Sequence, residues 1–301
     1  MHQDQLEQNK EQLKAFGIDH AAYTSIQNSH FKNIQAPFSP PLDLEDSREI
    51  LPGNSIFKKL DEKEQEALLT WSEKGYAIFE NYFSSEEIDT INQEIDKLID
   101  KGEADWHYSR PRIMFAIRKS EKVRKIIQSK NLEKVLSMLL DKELTLFQSI
   151  NFLEGSAQSA HSDSIHMTTF PLGYLIAVWI ALEDIDKENG PLFYYPGSHK
   201  LPYLLNSDFD HGGNSLLIGS EANSQYEKAM QQMIEEKGLK PEKFYAKKGD
   251  VLIWHANLIH GGSPILDTNR SRKSMVLHYF AKNVICYHEI TQRPALLPKS
   301  E

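Results

Sequence analysis

Five short runs rich in β-branched and aromatic residues dominate the second half of the chain. They are LTLFQSINFLEG from residue 144, GYLIAVWIALEDI from 173, GPLFYYPGSH from 190, GDVLIWHANLIHGG from 249 and KSMVLHYFAK from 273. Glycine, proline and the pair Asn189-Gly190 punctuate them. Closely spaced short strands bounded by such turn formers belong to an antiparallel sandwich or barrel. Asn189-Gly190 reads as a hairpin turn.

The first half reads differently. Residues 58–72 look helical, and GYAIFENYF (75–83) looks like a short buried strand. Ser84 with Glu87 fits a capping box, after which Ile88, Ile91, Ile95 and Leu98 form one apolar stripe. Gly102 closes that helix, and 118–141 is expected to form another. A polar insertion at 203–243 holds one more helix, 222–237, with Tyr226, Met230, Met233 and Ile234 along a face that reads as packing. Residues 1–50 are polar, with some helix near 5–16 and a proline-rich stretch at 36–41; they read as an extended arm.

Composition narrows the classes. At 40% hydrophobic and 26% charged residues a packed core is feasible, which excludes disorder for most of the chain. A net charge of −9 argues against a protein that coats nucleic acid. The single cysteine, Cys286, allows no intrachain disulfide and no multi-cysteine zinc site, and suggests a reducing compartment. The N-terminus lacks the apolar core of a signal peptide, and no run approaches the ~18 apolar residues of a membrane span. The expectation is a cytoplasmic protein with no membrane and no nucleic-acid partner.

The chemistry concentrates around His161-Ser162-Asp163. Two H-x-D tripeptides occur, as many as chance would supply, and the other, His2-Gln3-Asp4, lies in the polar tail without strands around it. His161 has strands before and after it. Far downstream, GDVLIWHANLIHGG ends in His260, and Arg272 opens the alternating run RKSMVLHYF. Two neutral imidazoles and one carboxylate on one face suit Fe(II) and leave three positions open. A chelating keto acid can take two of these and O₂ the third. An arginine suits the distal carboxylate of such an acid, because its planar fork donates two parallel hydrogen bonds and keeps its charge. Zinc hydrolysis would accept the same ligands but gives no reason for the arginine.

The segments HSDSIHMTTFPLGYLIAVWIALEDIDKENGPLFYYPGSH (161–199) and GDVLIWHANLIHGGSPILDTNRSRKSMVLHY (249–279) resemble the phytanoyl-CoA dioxygenase family. The likeness covers roughly residues 70–282. It implies a mainly β fold with flanking helices, built on a double-stranded β-helix (jelly-roll, cupin-like) core. It also implies an Fe(II)- and 2-oxoglutarate-dependent dioxygenase that uses molecular oxygen, hydroxylates a small-molecule substrate and releases succinate and CO₂. Carried over by position, His161, Asp163 and His260 are the implied iron ligands and catalytic centre, and Arg272 the anchor of the 2-oxoglutarate carboxylate. Ser263 could add a hydroxyl to that carboxylate, Trp179 would line the co-substrate pocket, and Asn151 is a further candidate. Halogenating members lack the carboxylate ligand, so Asp163 favours hydroxylation. The alternative reading is a cupin-like metal- or ligand-binding protein without turnover.

Other residues compete for these roles. Arg270 competes with Arg272, but the run RKSMVLHY resembles the family strand, which favours Arg272; alternation also puts Arg272, Ser274 and Val276 on one face. On a continuous strand His255 and His260 face opposite ways, so only one enters the barrel, and His260 is preferred. His166 reads as a pocket residue, His199 as part of a structural turn, and Glu183 and Asp184 as partners of backbone amides. Residues 105–130 carry Arg110, Arg112, Arg118, Lys119, Lys122, Arg124, Lys125 and Lys130 against Asp105 and Glu121. The plain reading is a solvated face; the sharper one has Arg110 or Arg112 meeting an anionic substrate. The expected organisation is an arm over 1–50 and one oxygenase domain over 51–301.

Overall fold

The computed structural model describes residues 11–18, 25–107, 111–209 and 221–295. After short helical turns that include Pro41–Leu44 and Ser47–Ile50, the chain forms helix α1 (Glu62–Leu69), strand β1 (Tyr76–Phe79) and helix α2 (Ser85–Asp100). The capping box opens α2 as expected: Ser84 Oγ accepts from the Glu87 amide and the Glu87 carboxylate accepts from the Ser84 amide. Two short strands follow, β2 (Asp105–Trp106) and β3 (Arg112–Met114). The helix expected over 118–141 is three pieces: a turn at Ala116–Lys119, then α3 (Glu121–Ser129) and α4 (Leu132–Leu140). Ser120 causes the first break, because its hydroxyl caps the amide of Val123 and starts α3 afresh.

The remaining strands are β4 (Leu144–Phe152), β5 (Thr168–Phe170), β6 (Leu175–Ala181), β7 (Leu192–Tyr194), β8 (Glu242–Phe244), β9 (Val251–His255), β10 (His260–Gly262), β11 (Ser274–Ala281), β12 (Ile285–His288) and β13 (Arg293–Pro294). Helix α5 (Ala222–Glu236) lies between β7 and β8. The major sheet has the order β1-β9-β6-β11-β4-β3-β2, and a three-stranded sheet β10-β7-β8 faces it. A third sheet, β13-β12-β5, completes the β structure. All pairings are antiparallel, the arrangement of a double-stranded β-helix.

Both faces of the major sheet are covered, which explains why LIAVWIA is apolar at every position. Ile176, Val178 and Ile180 point outward with Met275, Leu277, Val251 and Ile253, and meet the apolar stripes of α2, α3 and α4. Ala177, Trp179 and Ala181 point inward with Leu252, Trp254 and Val276, towards Leu192, Tyr194 and Phe244 of the smaller sheet. The N-terminal segment packs on the third sheet: Phe31 stacks on Phe170 at 4.4 Å, with Leu13, Ile26 and Tyr287 around them. Pro41 does not extend the chain but occupies the first position of a short helix, Pro41–Leu44, where its missing amide costs nothing.

Two expectations about turns are corrected. Asn189-Gly190 is not the tip of a hairpin, since β6 and β7 belong to different sheets. It is a crossing loop held by Asn189, which accepts from the Asp186 amide and donates to the Asp184 and Ser271 carbonyls. The run 251–262 is not one strand either. It breaks after His255, where Asn257 turns its amide onto the carbonyls of His199 and Leu201, and β10 then joins the other sheet. Among the described residues, no helix is long and apolar enough to cross a membrane.

Candidate active site

The inward face of the major sheet forms three rows that follow from register alone. Phe152 on β4 stands opposite Arg112 on β3 and Ser274 on β11. One step along, Ile150 lies between Met114 and Val276, with Trp179 and Leu252 beyond. The third row runs Gln148, His278, Ala177, Trp254 and Tyr76. These rows floor a cavity of about 460 Å³ whose opposite wall carries His161, Asp163 and His260.

His161 and His260 meet because their backbones form an isolated antiparallel bridge, each amide donating to the other's carbonyl at 2.9 and 2.8 Å. Their rings lie 4.5 Å apart. His161 Nδ1 is 2.9 Å from the Ser159 carbonyl, and His260 Nδ1 is 2.9 Å from that of Leu258. A carbonyl only accepts, so both rings carry their proton on Nδ1 and turn an Nε2 lone pair inward. Burial first, then the neighbouring His260 and His166, push His161 down to about 3, which keeps that lone pair available. Asp163 begins a turn of 3₁₀ helix, and one ligand atom from each of the three residues falls within 4.8 Å of the others.

The two oxygens of Asp163 are not equivalent. Oδ2 accepts from the Trp254 indole at 2.8 Å and faces His278 Nε2 at 3.5 Å. His278 Nδ1 lies 3.1 Å from the Gln148 amide nitrogen, a donor, so the His278 proton sits on Nε2, close to the carboxylate but not hydrogen-bonded to it. Oδ1 is left facing His260 Nε2 at 3.7 Å, on the side of the imidazole lone pairs. Burial opposes the charge on Asp163, yet the imidazoles around it hold its pKa well below the ordinary carboxylate range. Helix α5 also reaches this turn: the Tyr226 hydroxyl accepts from the Ser162 amide at 2.9 Å. Tyr226 therefore does more than pack.

The glycines after His260 are a steric requirement of the same wall. A Cβ on Gly261 would lie 2.5 Å from the Phe193 ring and 2.7 Å from the Gln158 carbonyl. One on Gly262 would lie 2.6 Å from Ser156 Oγ.

Arg272 enters the same cavity and is 2% exposed. Its Nε and Nη1 have no hydrogen-bond partner, nor has the indole Nε1 of Trp179, another lining residue. Burial, then the charge of Arg112, lowers the Arg272 pKa to about 10. Arg270 is engaged elsewhere, with two contacts of 2.9 and 2.8 Å to Asp186. His166 lines the cavity and is lowered to about 4, chiefly by burial.

Several candidates do not join the cavity. Asn151 sits between Met275 and Ile113 in register, on the helix-facing side of β4, because alternation turns it away from Gln148, Ile150 and Phe152. Ser263 is buried outside the lining, where its amide donates to the Pro191 carbonyl and its own carbonyl abuts Gly190. His255 faces Asp43 at 3.4 Å and stacks near His199, away from the triad. Glu183 accepts from the Lys273 amide and the Ser271 hydroxyl, and Asp184 from the Lys248 amide, so this acidic pair is structural. Arg110 lies outside the described residues.

Comparison with known proteins gives the same answer as the geometry. Residues 71–274 match the family model described as phytanoyl-CoA dioxygenase (PhyH). The chain belongs to the phytanoyl-CoA dioxygenase family. A Caenorhabditis elegans protein named phytanoyl-CoA dioxygenase domain-containing protein 1 homolog is 22% identical over 262 residues, covering 68% of this chain and 86% of that protein. Among solved structures, the non-heme alpha ketoglutarate dependent carbocyclase SnoK from nogalamycin biosynthesis superposes with a TM-score of 0.63 at 16% identity, covering 81% of this chain and 96% of SnoK. EctD from S. alaskensis with 2-oxoglutarate and 5-hydroxyectoine gives 0.61 at 19% identity, with 94% and 96% covered.

Proposed function

We propose that this protein is an Fe(II)- and 2-oxoglutarate-dependent oxygenase that hydroxylates a small molecule. The observation that supports this most is the pairing, in one cavity, of the His161–Asp163–His260 cluster with a buried arginine. The donors fit the groups: two Nε2 lone pairs and one carboxylate oxygen form a hard-to-borderline facial set for a divalent ion. The unpartnered Nε and Nη1 of Arg272 fit an anion, because a buried guanidinium without acceptors is costly and a carboxylate supplies two. SnoK is titled alpha ketoglutarate dependent, and the EctD structure is titled with 2-oxoglutarate, which supports carrying this chemistry to the present chain.

Bound iron with 2-oxoglutarate would supply the oxidation, activating O₂, releasing succinate and CO₂ and placing a hydroxyl on a substrate carbon. The chain's own residues do the rest. Ser159 and Leu258 fix the imidazole tautomers, and Trp254 and His278 hold Asp163 so that Oδ1 alone is offered to the metal. Arg272, with its unpartnered Nε and Nη1, would hold the distal carboxylate of the co-substrate. Tyr226 ties the covering helix to the ligand turn.

The test is an anaerobic titration. Fe(II) with 2-oxoglutarate should give the visible charge-transfer band of a metal–keto acid chelate, and admitting O₂ should yield succinate. His260→Ala should lose both. A protein that forms no band and makes no succinate with any metal would return the site to a binding-only role.

A further inference from the structure

Taking the metal-site reading as its base, we infer that Gln158 is a displaceable cap on that site. Its side-chain amide holds the lone pair of His161 Nε2, and a divalent ion loads only by taking that lone pair from it. Gln158 Nε2 lies 3.1 Å from His161 Nε2. The His161 proton sits on Nδ1, facing the Ser159 carbonyl at 2.9 Å, so Nε2 is an acceptor and the amide N–H donates to it. An imidazole nitrogen has one lone pair in the plane of its ring. It accepts that N–H or it binds an ion, but not both. The ligands of the cluster are therefore unlike one another: His161 is capped, whereas His260 Nε2 and Asp163 Oδ1 face each other at 3.7 Å.

The backbone is shaped to deliver this amide. Ala157 has a φ of +44°, in the left-handed region that side chains other than glycine seldom enter. The turn it makes lays Gln158 against β10. The Gly262 amide donates to the Gln158 carbonyl at 3.0 Å, and the Gln158 amide donates to Ser156 Oγ at 3.4 Å. Both glycines after His260 make room for the same turn. A Cβ on Gly261 would stand 2.7 Å from the Gln158 carbonyl, and one on Gly262 would stand 3.1 Å from the Ala157 amide nitrogen. His-Gly-Gly thus places one ligand and at the same time admits the residue that covers the other.

The cap can leave without disturbing the wall. Gln158 is pinned to β10 through its carbonyl, while its side chain keeps three rotatable bonds. The residue is half-buried and lines the cavity of about 460 Å³, so an amide swung off the ring remains in solvent-accessible space.

The energetic consequence has a definite sign. Loading the site costs the Gln158–His161 hydrogen bond, whose net worth lowers metal affinity by about 2–12-fold. Removing the amide should therefore tighten metal binding. A residue that merely buttressed a ligand would act in the opposite direction, because loss of an outer support loosens the ligand and typically weakens metal by about 10–100-fold. Gln158 acts through His161 and is a positioning residue of the metal site.

The test uses the full chain and the metal alone. Co(II) is titrated into wild type and Gln158→Leu, followed by the visible spectrum, with far-ultraviolet circular dichroism to show that the fold is retained. Gln158→Leu should bind Co(II) about 2–12-fold more tightly. A folded variant that binds Co(II) equally or more weakly would overturn the assignment. A second measurement needs no variant to bind metal. In ¹⁵N-labelled wild type, the Gln158 side-chain amide, recognised by its absence from the Gln158→Leu spectrum, should exchange with water slowly before Zn(II) is added and faster at saturation. Exchange that Zn(II) leaves unchanged would overturn the cap. Wild type that binds neither Co(II) nor Zn(II) would remove the metal-site reading and this inference together; wild type that binds them without the tightening in Gln158→Leu removes this inference alone.

Discussion

Replacing Trp254 by phenylalanine isolates one hydrogen bond at the metal site. The indole Nε1 donates to Asp163 Oδ2 at 2.8 Å, and the residue is 2% exposed, so neither solvent nor a rotamer change can replace the donor. Phenylalanine keeps an aromatic body against the His260 ring, whose centroid lies 4.8 Å away. What is lost is a charge-assisted bond worth about 1.5–3 kcal/mol. With only the longer His278 contact holding Oδ2, Asp163 can rotate between its two oxygens, and divalent metal affinity should fall about 10–100-fold. The assay is a Co(II) titration followed by its visible spectrum, with far-ultraviolet circular dichroism to show that the fold is retained. His278→Ala in the same background should be non-additive with Trp254→Phe, because both side chains face one oxygen. A folded Trp254→Phe protein that binds Co(II) as tightly as the wild type would refute the claim that Asp163 is held as a one-oxygen ligand.

Arg272→Ala should weaken 2-oxoglutarate about 10–150-fold by calorimetry on the Co(II)-loaded protein, with metal affinity unchanged. Gly261→Ala should cost about 1–3 kcal/mol in denaturant unfolding, since the added methyl would meet the Phe193 ring and the Gln158 carbonyl at 2.5 and 2.7 Å. Glu289 tests pH linkage. Burial raises its pKa from 4.5 to about 7, while it accepts from the Asn206 amide at 3.1 Å. The fold therefore favours the protonated form: this contribution to stability is whole below pH 4.5 and is lost as pH rises through about 7. On the order of 3 kcal/mol is at stake, and Glu289→Gln should flatten that part of the stability–pH curve; an unchanged curve would mean that another group carries it.

The parts of the fold legible in the sequence were those set by neighbours along the chain. Ser84 and Glu87 announce α2 because both capping partners lie within one turn. His161, Asp163 and His260, whose ligand atoms the fold brings within 4.8 Å of one another, could be singled out because H-x-D before a strand and H-G-G after one are local patterns, whereas Arg272 was preferred to Arg270 on the likeness of RKSMVLHY to the family strand, since a period of two puts both arginines on one face. Trp254 and His278 were missed as partners of Asp163. They lie 91 and 115 residues away in sequence, and only the register of β9, β6 and β11 brings them beneath the ligand turn. Tyr226 was read as packing because its helix has a continuous apolar face, and nothing in that face signals a hydroxyl aimed at a backbone amide. Asn151 illustrates the converse. It neighbours pocket residues in sequence, yet the period of two turns it to the helices. The preference for His260 over His255 rested on one continuous strand, which the chain does not form: the two residues lie on separate strands of different sheets.

The central claim is that His161, Asp163 and His260 grip one metal ion beside the Arg272 guanidinium. Crystals grown without oxygen in the presence of Fe(II) and 2-oxoglutarate test it directly. The expected electron density shows one ion bonded to His161 Nε2, His260 Nε2 and Asp163 Oδ1, with the distal carboxylate of the keto acid on Arg272. An ion bound away from these side chains, or a co-substrate whose distal carboxylate lies away from Arg272, would contradict the account.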